Sequence, residues 1–114
     1  MNKISNQVTL IGYLGKDPEK HEFDPDKVKT SFSLATTEVY YNKDGDRVSN
    51  TQWHNCIAWG KMAERIEAGI NKGSRIAVNG KLTYRSYEGQ DNQKRHITEV
   101  IVQDYAILDK KESQ

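Results

Sequence analysis

Trp53 and Trp59 are the residues of this chain whose spacing most suggests recognition chemistry. They share one parity with Asn55 and Ile57, while His54, Cys56 and Ala58 take the other. If a barrel interior accepts the small Cys56 and Ala58, both indoles face outward and leave apolar area in water. An outward indole offers a flat π surface on which an unstacked base settles, at about 1–3 kcal/mol per base. If the tryptophan parity is buried instead, both are core residues; this segment alone leaves the two readings open.

A second segment carries the complementary chemistry. Ile76, Val78 and Leu82 fall on its even parity, so Lys81, Thr83, Arg85 and Tyr87 face out. Cations interleaved with an aromatic on an exposed strand face suit a polyanion whose bases stack. Tyr40 and Tyr41 lie next to the turn Asn42-Lys43-Asp44-Gly45-Asp46. Lys43 and Arg47 could meet phosphates there, although a solvated hairpin tip carries the same residues.

These side chains need a β scaffold. Period-two alternation predicts strands at residues 7–15, 28–39, 48–59, 75–87 and 95–108. Gly12 sits on the apolar parity of the first, where a missing side chain permits the bend of a barrel corner. Residues 17–26, with Asp17-Pro18 and an acidic bias, read as a loop. The 42–46 turn closes a hairpin. Between the third and fourth strands the period changes: Met62, Ala63, Ile66 and Ile70 predict a helix over 61–71, with Gly73 as a left-handed C-cap. Three strands, one short helix and two strands are the order of a five-stranded OB-fold Greek-key barrel. SH3-like barrels lack that helix, and ferredoxin-like folds need two.

With 114 residues there is room for one domain, expected over residues 1–108, before a polar and flexible end at 109–114. No apolar run reaches the length of a membrane span, and MNKISNQ has no signal-peptide character. A lone Cys56 makes no internal disulfide and suits a reducing cytosol. No metal or cofactor is expected. His21, His54 and His96 are dispersed, no nucleophile motif appears, and the glycines stand singly, so no enzyme chemistry is indicated. The net charge is only +1, but its distribution is uneven. Lys72, Arg75, Lys81, Arg85, Lys94 and Arg95 outweigh Glu88 and Asp91, whereas 17–26 is acidic.

Several motifs resemble those of bacterial single-stranded DNA-binding proteins. They begin with Asn6-Gln7-Val8-Thr9-Leu10-Ile11-Gly12-Tyr13-Leu14-Gly15-Lys16-Asp17-Pro18-Glu19 and Ser33-Leu34-Ala35-Thr36. Trp53-His54, Trp59-Gly60-Lys61-Met62-Ala63-Glu64 and Lys72-Gly73-Ser74 follow. Gly80-Lys81-Leu82, Arg85-Ser86-Tyr87 and Thr98-Glu99-Val100 complete the order. The resemblance spans essentially the whole chain. It implies an OB-fold subunit of a homotetramer that wraps single-stranded DNA in replication, recombination and repair, in the cytoplasm at the nucleoid. It places stacking aromatics at Tyr40, Trp53, Trp59 and Tyr87, basic contacts at Lys61, Lys72 and Arg85, and a subunit contact at His54. Tyr40 and Tyr87 stand where well-known members carry tryptophan, and Trp59 where they carry phenylalanine. Ser86 replaces a common lysine.

Many members continue into a glycine-rich linker and an acidic tip that recruits replication and repair proteins. The given sequence ends at Glu112-Ser113-Gln114 with neither, so a longer protein cut short and a short-tailed member whose recruitment differs both stay open. Replication and repair proteins stay possible partners, without an acidic tail in this sequence to recruit them. Two other readings remain open. A primosome-type relative would act mainly through protein contacts, and an RNA-binding OB module would need aromatic runs on neighbouring strands.

Overall fold

A computed structural model describes residues 3–24 and 27–109. After a 3-10 turn at Lys3–Ser5 come strands β1 (Val8–Leu14), β2 (Glu19–Asp24), β3 (Lys27–Tyr41) and β4 (Arg47–Trp59). Helix α1 (Gly60–Gly69) and strands β5 (Arg75–Glu88) and β6 (Lys94–Ile107) follow. The sheet runs β1-β5-β6-β4-β3-β2, and β1 also pairs with β3, which closes five of the strands into a barrel. Every adjacent pair is antiparallel except β4 and β6.

The expected OB-type barrel is present, with one strand more than the sequence pattern indicates. Residues 19–24, read as loop, form β2 on the edge of β3, pairing Glu19 with Ser31 and His21 with Lys29. Its sequence, EKHEFD, lacks the apolar alternation that marks a strand with a buried face. Charged residues on an outer strand also discourage pairing with another chain. With β2 counted, the helix follows the fourth strand.

Alternation fills the interior. Leu14, Phe32, Leu34, Cys56, Ala58, Ile76, Val78, Val100 and Val102 form the core with Ala63, Ile66 and Ile70 from the helix segment. The α1 helix plugs one end. Its Ala63 and Ile66 are fully buried, and the buried Thr30 hydroxyl donates to the Ala63 carbonyl at 2.8 Å. The helix ends earlier than its periodicity suggests: Ile70 is extended and its N–H reaches the Ile66 carbonyl. Gly73 does adopt a positive φ of 88°, but in the turn that joins Asn71 to Ser74, not as the helix cap.

Barrel closure brings backbones together at two glycines. A Cβ on Gly12 would collide with the Ala35 carbonyl oxygen, and one on Gly80 with that of Ile101. Gly12 lies where β1 passes from β5 to β3, and Gly80 at the irregularity in the β5–β6 register. At the barrel's other margin the Arg75 N–H donates to the Asp109 carboxylate at 2.8 Å. Residues 110–114 of the polar end lie outside the described residues.

Burial pushes the Cys56 thiol up from 9.0 to about 12. The folded thiol therefore holds its proton to higher pH than the unfolded one. Its contribution to stability is complete below about pH 9 and is lost as pH rises towards 12. Cys56 is expected to resist a soluble thiol reagent at about pH 8 in the native protein and to react fully once denaturant is added. Rapid reaction without denaturant would place Cys56 outside the core.

Candidate nucleic-acid interface

Register assigns the outer face. Opposed residues of β3 and β4 share a side of the sheet, so Lys29, Ser31, Ser33 and Ala35 accompany Trp59, Ile57, Asn55 and Trp53. The parallel pairing of β4 with β6 adds Glu99 and Ile101 beside Asn55 and Ile57. From β5 come Lys81, Thr83, Arg85 and Tyr87, opposite Ile101, Glu99, Ile97 and Arg95. One continuous surface thus spans four strands and carries two tryptophans, a tyrosine and several cations.

The tryptophans resolve the open parity question. Cys56 and Ala58 are completely buried, while Trp53 and Trp59 are 59% and 47% exposed. Each indole is nevertheless held. The Trp53 ring lies over Gly15, where a Cβ would overlap it, so that glycine gives the ring its seat. Trp59 tilts against Phe23 of β2, with centroids 6.2 Å apart and planes 30° apart. The Lys29 ammonium lies 5.9 Å from the Trp59 ring. An aromatic fixed on one side and open on the other is prepared to stack without losing much rotamer freedom.

Across β3, β4, β6 and β5, a groove of about 250 Å³ is lined by Ser31, Ser33, Asn55, Ile57, Glu99 and Arg85, with Lys16 and Asp17 of the β1–β2 connection among its other residues. Glu99 is buried, and both its oxygens accept hydrogen bonds from Arg85, at 3.1 Å from Nε and 3.0 Å from Nη2. That bidentate bond, with the carboxylate's charge, raises the Arg85 pKa further above its ordinary value. Arg85 is therefore on the expected face, but its charge is locally cancelled. Arg95 is similarly tied to Asp91 at 2.8 Å. Lys81 is exposed on the same face and makes no ion pair among the described residues.

The other expected residues are dispersed. Tyr87 is exposed at the far end of the β5 row. Tyr40 is also exposed, but it pairs with Val48 on the parity of Leu34 and His54, opposite that of Trp53. Its neighbour Tyr41 has the tryptophan parity. Lys43 is exposed in the hairpin turn, where the Asn42 side chain accepts from the Asp44 and Asp46 amides at 2.9 and 3.0 Å. Lys61 is exposed in the first turn of α1, and Lys72 in the turn that follows the helix. The Lys72 amide donates to Asp17 at 2.7 Å, which pins the β1–β2 connection. His54 is half-buried and hydrogen-bonds Thr36 through Nε2 at 2.9 Å.

Sequence reasoning missed Phe23 and Glu99. Phe23 lay in a segment read as loop. Glu99 was noticed only as part of a motif, and its pairing with Arg85 depends on a cross-strand register that no local pattern reveals. Among the described residues no group of three or more His, Cys, Asp or Glu side chains is placed to hold a metal ion. No helix among them is long and apolar enough to cross a membrane.

This architecture has known counterparts. The chain is 35% identical over 109 residues to single-stranded DNA-binding protein 1 of Chlorobaculum tepidum, covering 95% of this chain and 67% of that one. It is 36% identical over 103 residues to the single-stranded DNA-binding protein of Xylella fastidiosa, covering 90% and 63%. It thus spans about two thirds of the length of these relatives. Among solved structures, a Plasmodium falciparum SSB in complex with ssDNA superposes with a TM-score of 0.85 at 30% identity, over 96% of this chain and all of that one. A deletion mutant of the single-stranded DNA-binding protein from Thermus aquaticus superposes with 0.78 at 26% identity, over 91% and 50%. The model of the single-strand binding protein family matches residues 5–108, and the chain belongs to that family.

Proposed function

We propose that this chain binds single-stranded DNA with little sequence preference, as a binding and protecting protein and not as a catalyst. The observation that carries this reading is the outward, one-sided exposure of Trp53 and Trp59 on a single strand. Folding gains nothing from leaving two indoles in water, whereas a row of unstacked bases covers them. Hydrogen-bonding groups that could read a base edge are few on this face. Asn55, Ser31 and Ser33 stand out, which favours stacking over sequence readout.

Phosphates would run beside the aromatics, near Lys81 and Lys29 and, at the ends of the barrel, near Lys43, Lys61 and Lys72. Arg85 supplies its remaining N–H groups but little net charge. The family membership and the complex with ssDNA of the Plasmodium relative support this assignment of ligand. A role in covering strands exposed during replication, recombination and repair follows from that ligand class, as does a place at the nucleoid. Assembly into a homotetramer, with His54 near a subunit contact, is part of the same reading. Ile11 and Tyr13 on the outer face of β1 leave apolar surface that association could cover.

Replacing Trp53 by alanine is expected to weaken oligo-dT binding by about 1–3 kcal/mol while the protein keeps its fold. Unchanged affinity would remove Trp53 from the site. Charge makes a separate prediction. Lys81→Gln should flatten the dependence of log affinity on log salt by about 0.7, one phosphate contact. Exchanging the neutral pair together, Arg85→Gln with Glu99→Gln, should leave that slope unchanged. A slope that falls as much for the pair as for Lys81 would contradict charge cancellation at Arg85.

A further inference from the structure

The β2 strand carries one apolar side chain, Phe23, and leaves it 61% exposed. Its position is set by an irregularity. Glu22 pairs with Val28 and Asp24 with Lys27, so Phe23 is the extra residue of a β-bulge. Such bulges re-aim a side chain and concentrate beside functional sites. The result here is the 6.2 Å contact with Trp59, on the face that already carries the tryptophans. Lys29, directly opposite both His21 and Trp59 in the sheet, places its ammonium 5.7 Å from the Phe23 ring and 5.9 Å from that of Trp59. Mutual packing does not account for the pair, because both rings remain about half open to water.

We propose that Phe23, Trp59 and Lys29 form a composite subsite for one nucleotide of the bound strand. Resting on the single-stranded DNA reading, the proposal extends the contact surface from the barrel onto the added strand β2. The base stacks on the open side of the aromatic pair. Lys29, already attracted to the ring faces, meets the adjoining phosphate, and its neighbours His21 and Glu19 form their own contact at 3.9 Å. The arrangement commits to a nucleotide because it joins a π platform to a cation, and because it continues the face of Trp53 and Trp59.

Oligo-dT affinity, measured for the parent, Phe23→Ala, Phe23→Leu and Phe23→Tyr, tests the subsite, with Trp53→Ala as reference. The side chain is exposed, and thermal melts are expected to coincide. The alanine and leucine variants should bind about 5- to 150-fold more weakly, the range that one lost stack implies, while tyrosine keeps parental affinity. Lys29→Gln should flatten the salt slope by about 0.7. Leucine binding as tightly as the parent would reduce Phe23 to an apolar cover for Trp59 and overturn the proposal. So would parental affinity in the alanine variant while Trp53→Ala weakens binding. Should Trp53→Ala also bind normally, the face itself is misassigned and the subsite fails with it.

Discussion

Interior volume on β4 is the constraint on which the rest of the molecule depends. The barrel must hold Phe32, Leu34 and the apolar side of α1, and β4 answers with Cys56 and Ala58, both fully buried. Neither interior position has space for an indole. Because successive side chains of a strand point to opposite faces, a small interior parity forces Trp53 and Trp59 outward. The same alternation in β5 directs Ile76 and Val78 inward and Lys81, Arg85 and Tyr87 outward. Packing and the proposed recognition face are thus two consequences of one period.

The two tight backbone approaches complete that scaffold. Gly12 and Gly80 let β1 and β5 cross close to their neighbours, so the five strands close without a side chain in the way. Closure curves the outer surface and places β3, β4, β6 and β5 side by side, so residues far apart in sequence form one face. Gly15 plays a different part, since its missing Cβ makes space for the Trp53 ring. The proposed stacking would therefore rest on the sheet, with Trp53 seated over Gly15 and Trp59 against Phe23.

Much of this was legible because alternation is a local signal. The strand pattern around Cys56 and Ala58, the change of period at Met62 and the turn at Asn42–Asp46 each lie within a few residues. Where structure depends on distant partners, the signal fades. The β2 strand has no buried face of its own to produce a pattern, so its strand character and the place of Phe23 come only from pairing with β3. Arg85 reads as a free cation until the register of β5 with β6 brings Glu99 to it. Tyr40 lies on a long hairpin arm, where one step in the pleat separates it from the tryptophan parity. Gly73 shows another limit: a positive φ was expected there and is present, but it serves a turn beyond the helix end.

On the proposed binding face, charge and stacking would divide the work unevenly. Two of its arginines are paired with carboxylates, and the chain as a whole carries a net charge of only +1. In the proposed function, aromatic surface then provides much of the attraction, with Lys81, which makes no ion pair among the described residues, guiding the backbone. Intrinsic tryptophan fluorescence during titration with oligo-dT, repeated over a range of salt concentrations, tests this most directly. Strong quenching that saturates, with an affinity that declines only modestly as salt rises, is the result expected from bases stacked on Trp53 and Trp59. Folded protein with excess oligonucleotide and no quenching would contradict it, because both indoles would then lie away from the bound bases.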